Sequence, residues 1–261
     1  MKISEAQIRE SFTDGELARE LPVFVYETAG STNDLAKSYA LSSGDTPTRA
    51  IFIAKTQTAG RGRRGRSFLS PEGGLYLSLL LPTDLPAADS VAVTAYTAVV
   101  VKRALLRTVG AKVGIKWVND VILGGRKLAG ILAEGVLREG TDRMRAVVVG
   151  IGLNITGKEL DPEIENIATT LEREGFFTTP AELAAAIAEE FFGSLYLLGT
   201  PELAEEYRAA STVIGKDVTV LRVGESYGAT VLGITDACEL RLRLDNGDEE
   251  LLATGEVSIR V

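Results

Sequence analysis

The sequence contains no histidine among its 261 residues. This absence excludes His-based catalytic triads, histidine general bases and His-ligated zinc sites. A metal ion, if one is used, must be bound by oxygen atoms, and this favours Mg²⁺ with phosphate ligands. The single cysteine, Cys238, cannot form a disulfide within the chain, which fits a reducing compartment.

Long apolar runs are also missing. No segment approaches the roughly 20 consecutive apolar residues of a membrane-spanning helix. The N-terminal segment is charged throughout and has no apolar signal-peptide core, so we expect a cytoplasmic protein without membrane attachment. The net charge of -8 argues against a general polyanion-binding surface, so any basic site must be local.

Apolar residues make up 45% of the chain, enough for a sizeable core. The pattern predicts an α+β fold, with helices packed on a mixed sheet over residues 1–210, followed by a small SH3-like β-barrel over residues 211–261. Residues 1–22 are expected to form a short lead-in. The predicted strands of the first domain are 23–26, 50–54, 74–81, 114–117, 127–136 and 146–155, and its predicted helices are 34–41, 89–109, 180–198 and 201–210. The five short strands of the second domain are predicted at 218–223, 229–234, 239–244, 249–253 and 257–261.

The most distinctive motif is the loop Gly60–Arg66, which carries four arginines and no acid in an acidic protein. Its glycines allow the backbone to approach a ligand closely, and its guanidinium groups offer paired donors to carboxylate or phosphate. A solvated basic loop or a nucleic-acid patch is an equally good interpretation of the spacing alone.

A second motif places Lys116 and Asn119 at the end of an apolar strand, with Asp120 beside them. The lysine could meet an anion, the amide could bind a nucleotide, and the carboxylate could hold Mg²⁺. By pattern alone, a strand that ends in an Asn-Asp turn is the favoured interpretation.

Three further segments combine small residues with polar ones. Gly130, within 127–134, indicates either a close backbone approach or a β-bulge. The segment 147–155 contains Gly150-Ile151-Gly152, which could leave room for a flat ring or mark a crowded strand crossing. Ser31-Thr32-Asn33 is typical of a helix cap, and such a cap can also present polar groups to a ligand.

Taken together, these motifs resemble the biotin protein ligase family. The likeness covers nearly the whole chain in the right order. Each of the five motifs described above is weak evidence alone, but their occurrence in this order is specific for the family. The likeness rests on Ser31–Asn33, Gln57, Gly60–Gly65, Lys116–Asp120, Arg126–Leu132 with Glu134, Gly150–Asn154 and Gly255–Arg260.

The resemblance implies a class II synthetase-like catalytic domain that uses ATP to convert biotin to biotinyl-5′-AMP. It implies transfer of biotin to a lysine of a biotin carboxyl carrier domain, with Mg²⁺ on the phosphates. Lys116 and Arg63 are the implied catalytic residues. The implied biotin-binding residues are Ser31, Thr32, Asn33, Gln57, Gly60, Arg61, Gly62, Arg63, Lys116, Gly130 and Ile131. The implied nucleotide-binding residues are Arg63, Trp117, Asn119, Lys127 and Asn154, and Asp120 is the candidate residue for the metal.

The sequence has no room before its first strand for the DNA-binding domain of some family members, so we expect a monofunctional ligase that does not bind DNA. Such members are often dimers, and a homodimer is compatible with exposed strand edges. A lipoate or octanoyl ligase is the nearest alternative enzyme, because that family is similar in fold. A nucleic-acid-binding module is the alternative that is not an enzyme, and it predicts steep salt dependence.

Overall fold

The computed structural model describes residues 3–44, 46–157, 164–222 and 224–260. The predicted strand ends at Val223 and Val261 lie outside the described residues. No helix in these ranges is long and apolar enough to cross a membrane.

The described chain contains twelve strands and six α-helices. The helices are α1 (Glu5–Ser11), α2 (Gly15–Glu20), α3 (Thr32–Ser42), α4 (Ser90–Val109), α5 (Pro180–Gly193) and α6 (Pro201–Ala209). The strands of the first sheet are β1 (Val23–Ala29), β2 (Ala50–Gln57), β3 (Gly74–Pro82), β4 (Gly114–Lys116), β5 (Asp120–Leu123), β6 (Arg126–Leu137) and β7 (Met144–Asn154). The strands of the second sheet are β8 (Asp217–Arg222), β9 (Glu225–Ile234), β10 (Leu240–Leu244), β11 (Glu249–Leu252) and β12 (Glu256–Ile259).

The first sheet is mixed and has the order β1-β2-β3-β7-β6-β5-β4. Strands β1 and β2 are parallel, and every other pair in this sheet is antiparallel. Side chains alternate between its faces. Leu75, Leu77 and Leu79 join the large core formed with α4 and α5, whereas Phe52 and Leu80 pack in a smaller cluster with α3. The predicted mixed sheet with helices packed on it is confirmed.

Local signals set several helix ends where the sequence predicted them. Helix α4 ends at Val109 and is capped by Gly110, which has φ 71°, a conformation that glycine adopts without steric cost. Helix α5 starts with a complete capping box formed by Thr179 and Glu182. The prediction that α5 continues to residue 198 was wrong, because the helix ends at Gly193 and a 3₁₀ turn follows. The Ser194 hydroxyl donates to the carbonyl of Glu190, which satisfies one of the terminal acceptors.

Three other elements, β5, α1 and α2, were not predicted. Strand β5 pairs with both β4 and β6, but its four residues are too few to show an alternating pattern. The expected lead-in over residues 1–22 forms helices α1 and α2, capped by Ser4 and Asp14. Ile8 anchors α1 because it is completely buried in the main core.

The C-terminal strands form a separate antiparallel sheet of order β11-β10-β9-β8-β12. Strands β11 and β12 are its two edges, so the described strands do not close, and the predicted SH3-like barrel is not confirmed. The second sheet packs closely on the first domain, since Val218 and Val257 belong to the same apolar cluster as Ile115. The domain boundary at residue 210 therefore stays a prediction.

Candidate active site

A cavity of about 130 Å³ lies where the first sheet, the Gly60–Arg66 loop and the C-terminal sheet meet. Most of the residues singled out from the sequence line this one cavity. They are Ser31, Asn33, Gln57, Arg61, Gly62, Arg63, Lys116, Trp117, Asn119, Asp120, Lys127, Gly130 and Ile131. Segments that are distant in sequence therefore converge on a single site.

Three predicted site residues do not line the cavity. Thr32 is buried and supports the site from behind, where its backbone N–H donates to Gln57 Oε1 at 2.9 Å. Close packing explains the glycine at position 60, because a Cβ there would lie within 3.0 Å of the Phe68 carbonyl oxygen. Asn154 ends β7, and its Nδ2 donates to the Thr169 carbonyl at 3.0 Å. The structure thus gives all three supporting contacts instead of a cavity-lining position.

Arg63 and Lys116 line the cavity without an ion pair to a carboxylate among the described residues, and Arg64, which also lines it, donates to a backbone carbonyl. Arg63 Nη1 lies 3.4 Å from Asn119 Oδ1, and the Arg63 guanidinium forms no ion pair in the described parts of the chain. Burial lowers the pKa of Arg63 below its usual value, but an arginine stays protonated in proteins. Lys116, at the end of β4, has no ion pair there either. Cationic side chains without an ion-pair partner at one cavity favour an anionic ligand.

The other loop arginines are engaged by protein groups. Arg61 forms a bidentate ion pair with Asp34, with N–O distances of 2.6 and 2.5 Å. Arg64 donates to the Leu221 carbonyl, and Arg66 pairs with Glu256 at 2.6 Å. The guanidinium groups of these three side chains thus contact protein groups. Their partners attach the loop to α3 on one side and to the C-terminal sheet on the other.

The floor of the cavity is made of glycines on adjacent strands. Gly130 of β6 is the direct partner of Gly152 of β7. The Phe68 ring lies over both: a Cβ would come within 3.0 Å of ring atoms at Gly152 and to 3.3 Å at Gly130. The Lys127 ammonium lies 5.9 Å from the centre of the same ring. The Phe68 ring packs on these two glycines, and Phe68 was not among the predicted site residues.

The Lys116–Asp120 segment is anchored by hydrogen bonds of its own. Trp117 Nε1 donates to the Cys238 carbonyl at 2.8 Å, which ties the site to the C-terminal sheet. Asn119 Nδ2 donates to the Ile131 carbonyl at 3.1 Å. The indole donor and the amide donors are thus largely committed to positioning the backbone around the cavity.

Asp120 is the residue expected to contact a metal. Its Oδ1 lies 2.7 Å from Lys127 Nζ. Among the described residues, no group of three or more acidic or cysteine side chains is placed to hold a metal ion. A lone carboxylate that is already paired does not make a metal site, so Mg²⁺ would have to be held mainly by substrate phosphates. Glu256 also lines the cavity as a second carboxylate, together with Gly255 and Val257 of the C-terminal sheet.

The site prediction missed these C-terminal residues and Phe68. It also left out other residues that line the cavity, namely Arg64, Arg66, Ser67, Leu132, Gly150, Ile151 and Gly152. Gly255 and Glu256 stood in the family-like motif Gly255–Arg260, which carried no predicted role in the cavity. Phe68 is the first aromatic residue after the arginine loop, and its position in the chain alone does not indicate that its ring folds back onto two glycines.

Comparison with known proteins first defines the class. Residues 25–154 match the family model described as Biotin/lipoate A/B protein ligase family, and residues 213–260 match the Biotin protein ligase C terminal domain. Together these two regions include the cavity, the cations and the C-terminal sheet. The two matches thus place the chain in the biotin/lipoate protein ligase class of families.

Individual relatives narrow the assignment. The biotin–[acetyl-CoA-carboxylase] ligase of Mycobacterium tuberculosis is 35% identical over 220 residues, covering 80% of this chain and 77% of that protein. The bifunctional ligase/repressor BirA of Bacillus subtilis is 34% identical over 175 residues, which are 66% of this chain and 52% of that protein. The chain spans about half the length of such bifunctional relatives.

A solved structure agrees with the sequence matches. The biotin protein ligase from Aquifex aeolicus, in complex with biotin and ATP, superposes with a TM-score of 0.74 at 26% identity, covering 92% of this chain and 98% of that one. The chain belongs to the biotin protein ligase family. The resemblance inferred from the ordered motifs is confirmed.

Proposed function

We propose that this chain is an ATP-dependent biotin protein ligase, which activates biotin as biotinyl-5′-AMP and transfers it to a lysine of a biotin carboxyl carrier domain. The observation that carries the proposal is the convergence of Arg63 and Lys116 on one cavity without carboxylate partners among the described residues. Family membership supports the same substrates, because the Aquifex aeolicus relative binds biotin and ATP.

The first step joins two anions. An oxygen of the biotin carboxylate attacks the α-phosphorus of ATP, and pyrophosphate leaves with the electrons of the broken P–O bond. Arg63 and Lys116 reduce the repulsion between the carboxylate and the phosphate and stabilise the charge that builds up in the transition state. Mg²⁺ would supply further charge neutralisation on the phosphates when it is bound.

The second step needs a neutral amine. A lysine side chain in water has a pKa of about 10.4, so the acceptor lysine must lose a proton before its nitrogen attacks the acyl carbon and AMP leaves. Without histidine, we assign this proton to Asp120 or to solvent. The mixed anhydride must also be protected from water, and the Gly60–Arg66 loop lies across the cavity where it would give that protection.

The remaining site assignments follow from position. Ser31, Asn33, Gln57 and the glycine floor would contact biotin. Asn119 and Lys127 would lie near the nucleotide, and Trp117 would hold the C-terminal sheet against the site. We propose that this sheet is an SH3-like module of the ligase, that the protein acts in the cytoplasm, and that a homodimer, if formed, uses an exposed sheet edge such as β1.

The deciding experiment incubates the full chain with biotin, Mg-ATP and a biotin carboxyl carrier domain, and measures the carrier by intact mass. We expect a mass increase equal to one biotin, lost when the acceptor lysine of the carrier is replaced by arginine. An unmodified carrier would overturn the proposal. Calorimetry with biotin and with lipoate separates the two ligase classes, and a gel shift with DNA at moderate salt tests the nucleic-acid alternative.

A further inference from the structure

Glu134 of β6 lies behind the cavity wall and does not line the cavity. Its carboxylate accepts a hydrogen bond from Asn33 Nδ2 at 2.6 Å and is paired with Lys37. Arg61 Nη2 lies 3.6 Å away, which links the same carboxylate to the arginine loop. Its side chain is 23% exposed, so solvent screens these contacts only partly.

Of the two cavity residues that contact Glu134, Asn33 and Arg61, Asn33 makes the shorter contact. Its Nδ2 donates to Glu134 and, at the longer distance of 3.3 Å, to the Leu132 carbonyl. Its Oδ1 accepts from the hydroxyl of Ser78, which is completely buried, at 2.6 Å. Both ends of the amide are therefore bound by protein groups.

The two sides differ in how firmly they fix the amide. The Ser78 hydroxyl can donate or accept, so it would accommodate either orientation of the amide. A carboxylate can only accept, so a flipped amide would bring its oxygen against the Glu134 charge. The Leu132 carbonyl is also an acceptor, but it is uncharged and more distant. Glu134 is thus the group that orients the Asn33 amide, with Nδ2 toward Glu134 and Oδ1 toward Ser78.

The orientation of Gln57 has a separate cause. Its Oε1 accepts from the backbone N–H of Thr32, and its Nε2 donates to Ser70 Oγ at 2.9 Å. These contacts do not involve Glu134. An effect of Glu134 on the pocket should therefore pass through Asn33 and not through Gln57.

We propose that Glu134 is a positioning residue for biotin recognition, which holds the Asn33 amide so that its carbonyl oxygen is available to an N–H group of the cyclic urea. This inference rests on the proposed function. Because both Nδ2 hydrogens are used by Glu134 and Leu132, Asn33 can offer the ligand only an acceptor. That chemistry selects a ring that carries N–H donors over the purely aliphatic and disulfide groups of lipoate.

The Glu134→Gln variant tests this role with almost no change in volume. A glutamine side chain can donate as well as accept, so the Asn33 amide loses its preferred orientation. We expect the Kd for biotin to rise about tenfold by calorimetry, which corresponds to about 1.4 kcal/mol. The Kd for ATP should change less than about twofold.

Glu206→Gln is the matched control. The Glu206 side chain is also 23% exposed and is also paired with two cations, Lys102 and Arg103, but it does not line the cavity or contact a residue that does. We expect this variant to lose stability, as Glu134→Gln does, while binding biotin like the wild type. Equal biotin affinities in the two variants would overturn the proposal.

A double-mutant cycle then tests the route through Asn33. In an Asn33→Ala background, Glu134→Gln should weaken biotin binding no further, and an additive loss would contradict the proposed route. Asn33→Asp provides a second test, because it sets two carboxylates side by side, and adding Glu134→Gln should restore part of the lost biotin affinity. If the wild type itself fails to bind biotin, the proposed function fails, and that result is distinguishable from normal binding by Glu134→Gln.

Discussion

Gly150 of β7 is the floor position beneath Asn33, and the substitution Gly150→Ala is a sharp perturbation of the candidate site. A Cβ at this position would lie within 3.0 Å of three atoms of the Asn33 amide, closer than real Cβ contacts. The amide oxygen would have to move by about 1 Å to restore ordinary van der Waals contact. The amide cannot move freely, because Ser78 and Glu134 each hold it at 2.6 Å.

The expected cost follows from these contacts. Loss of one hydrogen bond to a charged group costs about 1.5–3 kcal/mol. An alanine in place of a glycine restricts the unfolded chain, which offsets about 0.4–1 kcal/mol of that loss. We therefore expect Gly150→Ala to lower the free energy of unfolding by about 1–2 kcal/mol. The displaced amide should also weaken biotin binding at least about tenfold.

Gly233→Ala is the control for a glycine in a strand. Gly233 lies in β9, and a Cβ there would meet no atom within 4 Å. Urea unfolding should show this variant to be as stable as the wild type or slightly more stable, with the same Kd for biotin by calorimetry. The reasoning is refuted if Gly150→Ala binds biotin within twofold of wild type, or if both alanine variants behave alike.

Three further outcomes are expected. Lys116→Ala should slow the pyrophosphate release that accompanies the reaction of biotin with ATP, by about 100-fold or more, without changing the melting temperature. Lys55 lies outside the cavity, so the control variant Lys55→Ala should leave this rate unchanged. Near-normal pyrophosphate release in Lys116→Ala would contradict the role of that cation. Hydrogen exchange of Gly60–Arg66 should slow when the adenylate binds, and equal protection in the free and bound states would contradict loop closure. Although burial alone would raise the pKa of Glu134, hydrogen bonds from Lys37 and Asn33 hold it below its usual value. A carboxyl group with a lowered folded-state pKa stabilises the fold above its unfolded pKa of about 4.3 and loses this contribution as the pH falls through the folded value. The melting temperature should therefore fall below about pH 4, less steeply in Glu134→Gln than in wild type, and parallel curves would contradict this contribution.

Features encoded by neighbouring residues could be predicted well. Helix α4 and its end at Gly110, the start of α5 at the Thr179 cap and the strand β3 all follow from local periodicity and capping chemistry. Features that depend on the rest of the fold could not. Strand β5 is stabilised by its neighbours in the sheet and not by its own four residues, and the contacts of helix α1 become favourable only when Ile8 is buried in the core.

The candidate site divides in the same way. The motifs indicated which side chains carry the chemistry, and most of them line the cavity. The partners of those side chains could not be inferred, because they come from distant segments. Arg61 and Arg63 belong to the same short motif, yet one is neutralised by Asp34 while the other faces the cavity without an ion pair among the described residues.

The sequence by itself determined the family, the helices with strong caps and the set of polar residues at the site, since each depends on residue types at fixed spacing. Only the tertiary structure decided which cations stay uncompensated, that Phe68 covers the paired glycines, and that Glu134 orients Asn33. These properties depend on distances between strands, helices and loops that are far apart in the chain. No local pattern carries that information, because the electrostatic and steric effects arise only when the packed core brings the groups together.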